Sequence, residues 1–126
     1  MTPHFSLAEL DCKCGCDAPA RVLARLQVLA EALEVLREYI GAPINVISGY
    51  RCPKRNVAVG GAPLSRHLYG DAADIQVDGF TGAQLLEVTE ELIAAGTLPE
   101  GGLGIYRSKP MTLHYDCRGK RTRWVH

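Results

Sequence analysis

Apolar residues recur at spacings of four and three along one stretch of the chain: Val22, Leu26, Leu29, Leu33, Leu36 and Ile40. That stripe predicts an amphipathic helix, with Arg25, Glu31, Glu34 and Glu38 on its wet side. Asp17-Ala-Pro19 opens it, and Gly41 and Pro43 close it. The short apolar run Ile44–Ile47, ended by Ser48-Gly49, predicts a buried strand. From Ala72 to Asp78 the period becomes two. Ala73, Ile75 and Val77 fall on one face and Asp74, Gln76 and Asp78 on the other, a half-buried strand with a polar side. Thr81-Gly-Ala-Gln84 has the form of a capping box. It opens a second helix carrying Leu85, Val88, Leu92 and Ile93, which Gly96 stops. Two further strands, Gly102–Tyr106 and Thr112–Arg118, are joined by a turn around Ser108-Lys-Pro110.

This order predicts an α+β fold: a small antiparallel sheet with helices packed on one side. No repeat or linker divides the chain, so residues 1–126 are expected to form a single domain and a monomer. Between Tyr50 and Gly70 all periodicity vanishes. A loop of about twenty residues inside a small domain is expected to be functional.

Composition narrows the classes. Hydrophobic residues make up 47% of the chain, which excludes a disordered, collagen-like or coiled-coil protein. Fourteen basic residues balance fourteen acidic ones, which argues against a nucleic-acid partner. The basic cluster Arg118, Lys120, Arg121 and Arg123 is expected to be a solvated, salt-bridged end. No segment is apolar enough for a membrane span, and the opening residues lack the pattern of a secretory signal.

Five cysteines are many for this length. Cys12, Cys14 and Cys16 alternate with other residues, unlike a C-x-x-C zinc knuckle, and read as disulfides, a structural zinc or a redox site. Cys52 and Cys117 stand alone. A bridge between those two, two free buried thiols, or pairing of either with the cluster are the options.

The chemistry concentrates in Ser65-Arg-His67-Leu-Tyr-Gly-Asp-Ala-Ala-Asp74 and in His114-Tyr-Asp116. Two histidines and one carboxylate with an open fourth position form a catalytic zinc pattern. His67 and Asp74 can converge if the chain bends at Gly70. On the last strand, period two puts His114, Asp116 and Arg118 on one face, opposite Leu113, Tyr115 and Cys117. His4 and His126, at the ends of the chain, are assigned no role.

Ser48-Gly-Tyr-Arg51, Asn56, Gly60-Gly61, Ser65-x-His67, Gly70, Ala73-Asp74, Gly102-x-Gly-x-Tyr106, His114-x-Asp116-x-Arg118 and Trp124 form one string. Together they resemble the zinc D-Ala-D-Ala carboxypeptidase family, above all its small murein-peptidase members, whose fold is similar to the Hedgehog signalling domain. The resemblance runs from about Phe5 to Trp124. It implies one zinc ion held by His67, Asp74 and His114. It also implies a catalytic Arg51 that holds a substrate carboxylate or the oxyanion, and Ser65 beside the metal or substrate. Relatives place a general base two or three residues before the last ligand, where this chain has Met111 and Thr112. Asp116 is the nearby carboxylate that remains, either as the base or, slightly favoured, as a group orienting a ligand. The function implied is a zinc metallopeptidase of peptidoglycan stem peptides or cross-links, a cell-wall hydrolase of which a phage endolysin is one form. Such an enzyme acts at the cell wall or in the periplasm, or stays cytoplasmic until a phage pore releases it. The alternative is a non-catalytic zinc-binding module of the same fold.

Overall fold

The structure, a computed structural model, describes residues 1–126. A four-residue helix α1 (Leu7–Leu10) precedes the long helix α2 (Ala20–Ile40). Strand β1 (Asn45–Ser48) leads into α3 (Pro53–Ala58) and a 3₁₀ turn (Arg66–Tyr69). Strand β2 (Ala72–Gln76) and helix α4 (Gly82–Ala94) follow. Three strands end the chain: β3 (Gly102–Tyr106), β4 (Lys109–Asp116) and β5 (Thr122–Val125).

The local signals act as their chemistry requires. Gly41 ends α2 in the left-handed region at φ 75°, where an L side chain would be strained. In α4 the Thr81 and Gln84 side chains each accept from the other's backbone N–H, closing the capping box. A second such box, Ser6 with Glu9, opens α1, a helix whose single turn leaves no periodicity to read.

The five strands lie in the order β1-β2-β4-β3-β5. The first four pair antiparallel, as expected, whereas β5 adds parallel to β3. Ala73, Ile75, Leu103, Leu113 and Tyr115 share one core with Leu26, Leu29, Leu33 and Leu36 of α2 and Leu85 and Leu92 of α4. The alternating polar residues are left for the opposite face. Two differences arise in the segment 50–70, which is not structureless. Pro53 sits at the start of α3, where its missing N–H costs nothing, and the Cys52 sulfur accepts from Arg55 N–H. The 3₁₀ turn is clamped by Arg66 against the buried Asp71.

The basic end is spent on ion pairs. Arg118 binds Asp116, Arg121 reaches Glu90, and Arg123 spans Glu90 and Glu100. No helix is long and apolar enough to cross a membrane. The Cys52–Cys117 bridge does not form: all five cysteines are free. Cys117 shares the face of Tyr115 and rests its sulfur on that hydroxyl, whereas Cys52 turns to the N-terminal cysteines.

Candidate metal centre

Sheet register assembles the site. Asp74 on β2 pairs with His114 on β4, His114 with Gly104 on β3, and Gly104 with Trp124 on β5. These residues form one row across the polar face. The third histidine-or-acid group arrives from outside the sheet, since the 3₁₀ turn drops His67 onto the same spot. His67 Nε2 lies 3.5 Å and His114 Nδ1 3.4 Å from Asp74 Oδ1.

The outward ring nitrogens are already committed. His67 Nδ1 lies 2.7 Å from the Gly49 carbonyl oxygen, which takes a hydrogen bond from it and fixes the tautomer. His114 Nε2 lies 2.7 Å from Asp116 Oδ2. The inward nitrogens, His67 Nε2 and His114 Nδ1, are buried without a hydrogen-bond partner. Two orphaned imidazole nitrogens facing one carboxylate oxygen are costly unless something binds between them. Zinc bonds of about 2.0–2.1 Å in tetrahedral directions place neighbouring donor atoms roughly 3.4 Å apart. The separations of 3.4 and 3.5 Å match that edge, so the three residues fit a zinc ion.

Electrostatics point the same way. Burial works to raise the Asp74 pKa, but the His114 and His67 imidazoles outweigh it and hold the carboxyl well below its usual range. Burial disfavours a charged His114, yet Asp116 and Asp74 outweigh it and favour the protonated ring. A divalent cation would take that proton's place. Burial and the neighbouring Asp74 charge push the Tyr106 phenol far up, so its hydroxyl remains a donor, 2.8 Å from Asp74 Oδ1.

Asp116 stands behind His114 rather than in the cleft. Its side chain has no exposure. It accepts from Gly102 N–H at 2.9 Å and from Arg118 Nε and NH2 at 2.9 and 2.8 Å. A base would need to reach the cleft, and this carboxylate, shut off from solvent, is taken up by His114, Gly102 and Arg118. Gly102 makes the arrangement possible, because a Cβ there would collide with the Asp116 carboxylate. A Cβ on Gly104 would likewise enter the Trp124 indole, whose centroid lies 5.0 Å from that of His114. Upstream of His114, Met111 is exposed and Thr112 is buried, accepting from Gln76 Nε2 at 2.8 Å.

The three donors lie in a cleft of about 550 Å³. Arg51 and Ser65 both line it, and Arg51 NH2 donates to Ser65 Oγ at 3.1 Å. Arg51 Nε is buried with no partner. Tyr106, Lys109, Trp124 and His126 complete the wall; the residue pattern gave none of them a role. Period two could have found them, since Gly102, Gly104 and Tyr106 share a strand face and so do Trp124 and His126. His126 pairs through its backbone with Ile105 and Arg107, and its ring packs on Trp124 at 4.7 Å. His4, by contrast, only pairs with Glu34 at the surface.

A buried His-Asp-His set with two ring nitrogens held from behind, open to a basic cleft, fits a mononuclear metal centre of the hydrolase type. The Peptidase M15 family model matches residues 3–116, and the chain belongs to that family. Over 79 residues it is 38% identical to the zinc D-Ala-D-Ala carboxypeptidase of Streptomyces albus G. The match covers 57% of this chain and 31% of that relative.

Proposed function

We propose that this chain is a zinc metallopeptidase that hydrolyses peptide bonds in peptidoglycan stem peptides or their cross-links. The observation that carries the reading is the convergence of His67 Nε2, Asp74 Oδ1 and His114 Nδ1 at the floor of a basic cleft. His67, Asp74 and His114 would hold the zinc, which would supply a Lewis acid for a carbonyl and acidify a water.

The remaining chemistry belongs to the chain. Arg51, with Nε free of protein partners, offers charge-assisted hydrogen bonds to a substrate carboxylate or to the oxyanion. Ser65 holds the guanidinium in place. Lys109 adds a further positive charge at the wall, which suits peptides bearing free carboxylates. The Tyr106 hydroxyl fixes the Asp74 carboxylate. His126 is the proton acceptor among the cleft-lining side chains that is not a metal ligand, and we assign it the base. The relative's name, a D-Ala-D-Ala carboxypeptidase, supports the substrate class. The site of action is the cell wall, whether a bacterium or a phage lysis programme delivers the enzyme.

Incubating zinc-loaded protein with purified muropeptides and reading the products by mass spectrometry tests this. Loss of a terminal D-alanine identifies a carboxypeptidase, and halving of cross-linked dimers identifies an endopeptidase. Intact muropeptides with full zinc occupancy would favour the non-catalytic module, a reading that the absence of a carboxylate at Met111 and Thr112 supports.

Asp116 acts here as a positioning group for His114. Asp116→Asn is expected to weaken zinc binding by about ten- to a hundredfold, the usual effect of removing such a partner. Competition against a chromophoric chelator measures it. Unchanged affinity with turnover lost by orders of magnitude would instead make Asp116 the base.

A further inference from the structure

A second cluster of metal-ligating side chains lies outside the histidine centre. Cys12, Cys14 and Cys16 come from the N-terminal segment and Cys52 from the start of α3, and their sulfurs all lie within 4.8 Å of one another. Cys12 and Cys14 sulfurs are 3.2 Å apart, and Cys14 and Cys52 sulfurs 3.4 Å. The chain reaches this arrangement by a turn at Gly15, whose φ of 78° is open to glycine, with Gly15 N–H donating to the Cys12 carbonyl.

Ordinary packing does not account for the quartet. Buried cysteine behaves as a small hydrophobe, but Cys14 is exposed and Cys16 and Cys52 are only half-buried. Cys12 alone is buried in the core, so burial does not explain why three further thiols gather at contact distance around it. Two backbone donors also point at sulfur: Cys52 N–H at Cys12 Sγ and Arg55 N–H at Cys52 Sγ, each at 3.4 Å. Such donors stabilise the charged thiolate rather than the neutral thiol. Tetrahedral zinc with bonds to sulfur of about 2.3 Å separates its ligands by roughly 3.8 Å, a value inside the observed spread.

We infer that Cys12, Cys14, Cys16 and Cys52 bind a second, structural zinc ion in a closed four-thiolate site. With all four positions filled by protein, this ion has no place for water and takes no part in hydrolysis. Its effect is architectural. It ties the N-terminal segment to residues 49–52, where Tyr50 N–H already donates to the Leu10 carbonyl at 2.7 Å. That short stretch presents the Gly49 carbonyl to His67 and carries Arg51 into the cleft.

Elemental analysis of protein purified under reducing conditions gives the test. Wild type is expected to hold about two zinc ions per chain, and His67→Ala and Cys14→Ser about one each. Cobalt-loaded His67→Ala is expected to show the near-ultraviolet charge-transfer absorption of thiolate–cobalt bonds. Titration of wild type with an organomercurial provides a reading independent of the folding of Cys14→Ser, and about half the zinc should be released. About one zinc in wild type with none in His67→Ala, no thiolate–cobalt band, or peptides cross-linked through these cysteines would each overturn the inference.

Discussion

His67→Ala is expected to lose the zinc of the histidine centre and all muropeptide hydrolysis. His67 is 1% exposed, and its two ring nitrogens face the Gly49 carbonyl and the Asp74 carboxylate. Alanine therefore removes a ligand and a buried hydrogen bond together, the latter worth about 1 kcal/mol. Circular dichroism separates loss of metal from loss of fold. Metal content equal to wild type in a folded variant would show that His67 is not a ligand.

His126→Gln is expected to lower kcat by about a hundredfold or more, the contribution typical of a positioned proton acceptor. Zinc content should not change, because the ring packs on Trp124 and makes no contact within the His-Asp-His set. Glutamine keeps polarity and bulk but cannot exchange a proton near neutral pH. The decisive measurement is kcat and KM beside zinc content in the folded variant, with kcat alone expected to fall. An unaltered kcat would return the base to some other group and leave His126 as part of the wall.

The helices were legible because their signals are local. Val22 to Ile40 carries its own period, and Thr81 with Gln84 closes a box four residues long. The His67, Asp74 and His114 set was legible as a motif, but its geometry was not: β2 and β4 meet through pairings about 40 residues apart. Strand β5 escaped because Thr122-Arg-Trp-Val125 alternates weakly and its parallel partner is distant in sequence. The two short helices of residues 50–70 escaped for a different reason. Each is too short to hold without tertiary anchors, and those anchors, the Cys52 sulfur and the Arg66–Asp71 pair, are visible only in three dimensions. The cysteine options stayed open for the same cause, since alternation within residues 12–16 does not single out Cys52 as the fourth sulfur.

The row Asp74–His114–Gly104–Trp124 has a consequence for how the molecule reaches its final form. A strand that slips by one residue turns every side chain to the opposite face. Were β4 to pair one step out, His114 would point into the core and Leu113 or Tyr115 into the cleft. A misaligned chain would thus lack a ligand, and only the correctly paired one could retain the ion. Metal capture at the proposed site would then work as a proofreading step, stabilising the right alignment of the central strands to a degree that grows with the free metal available.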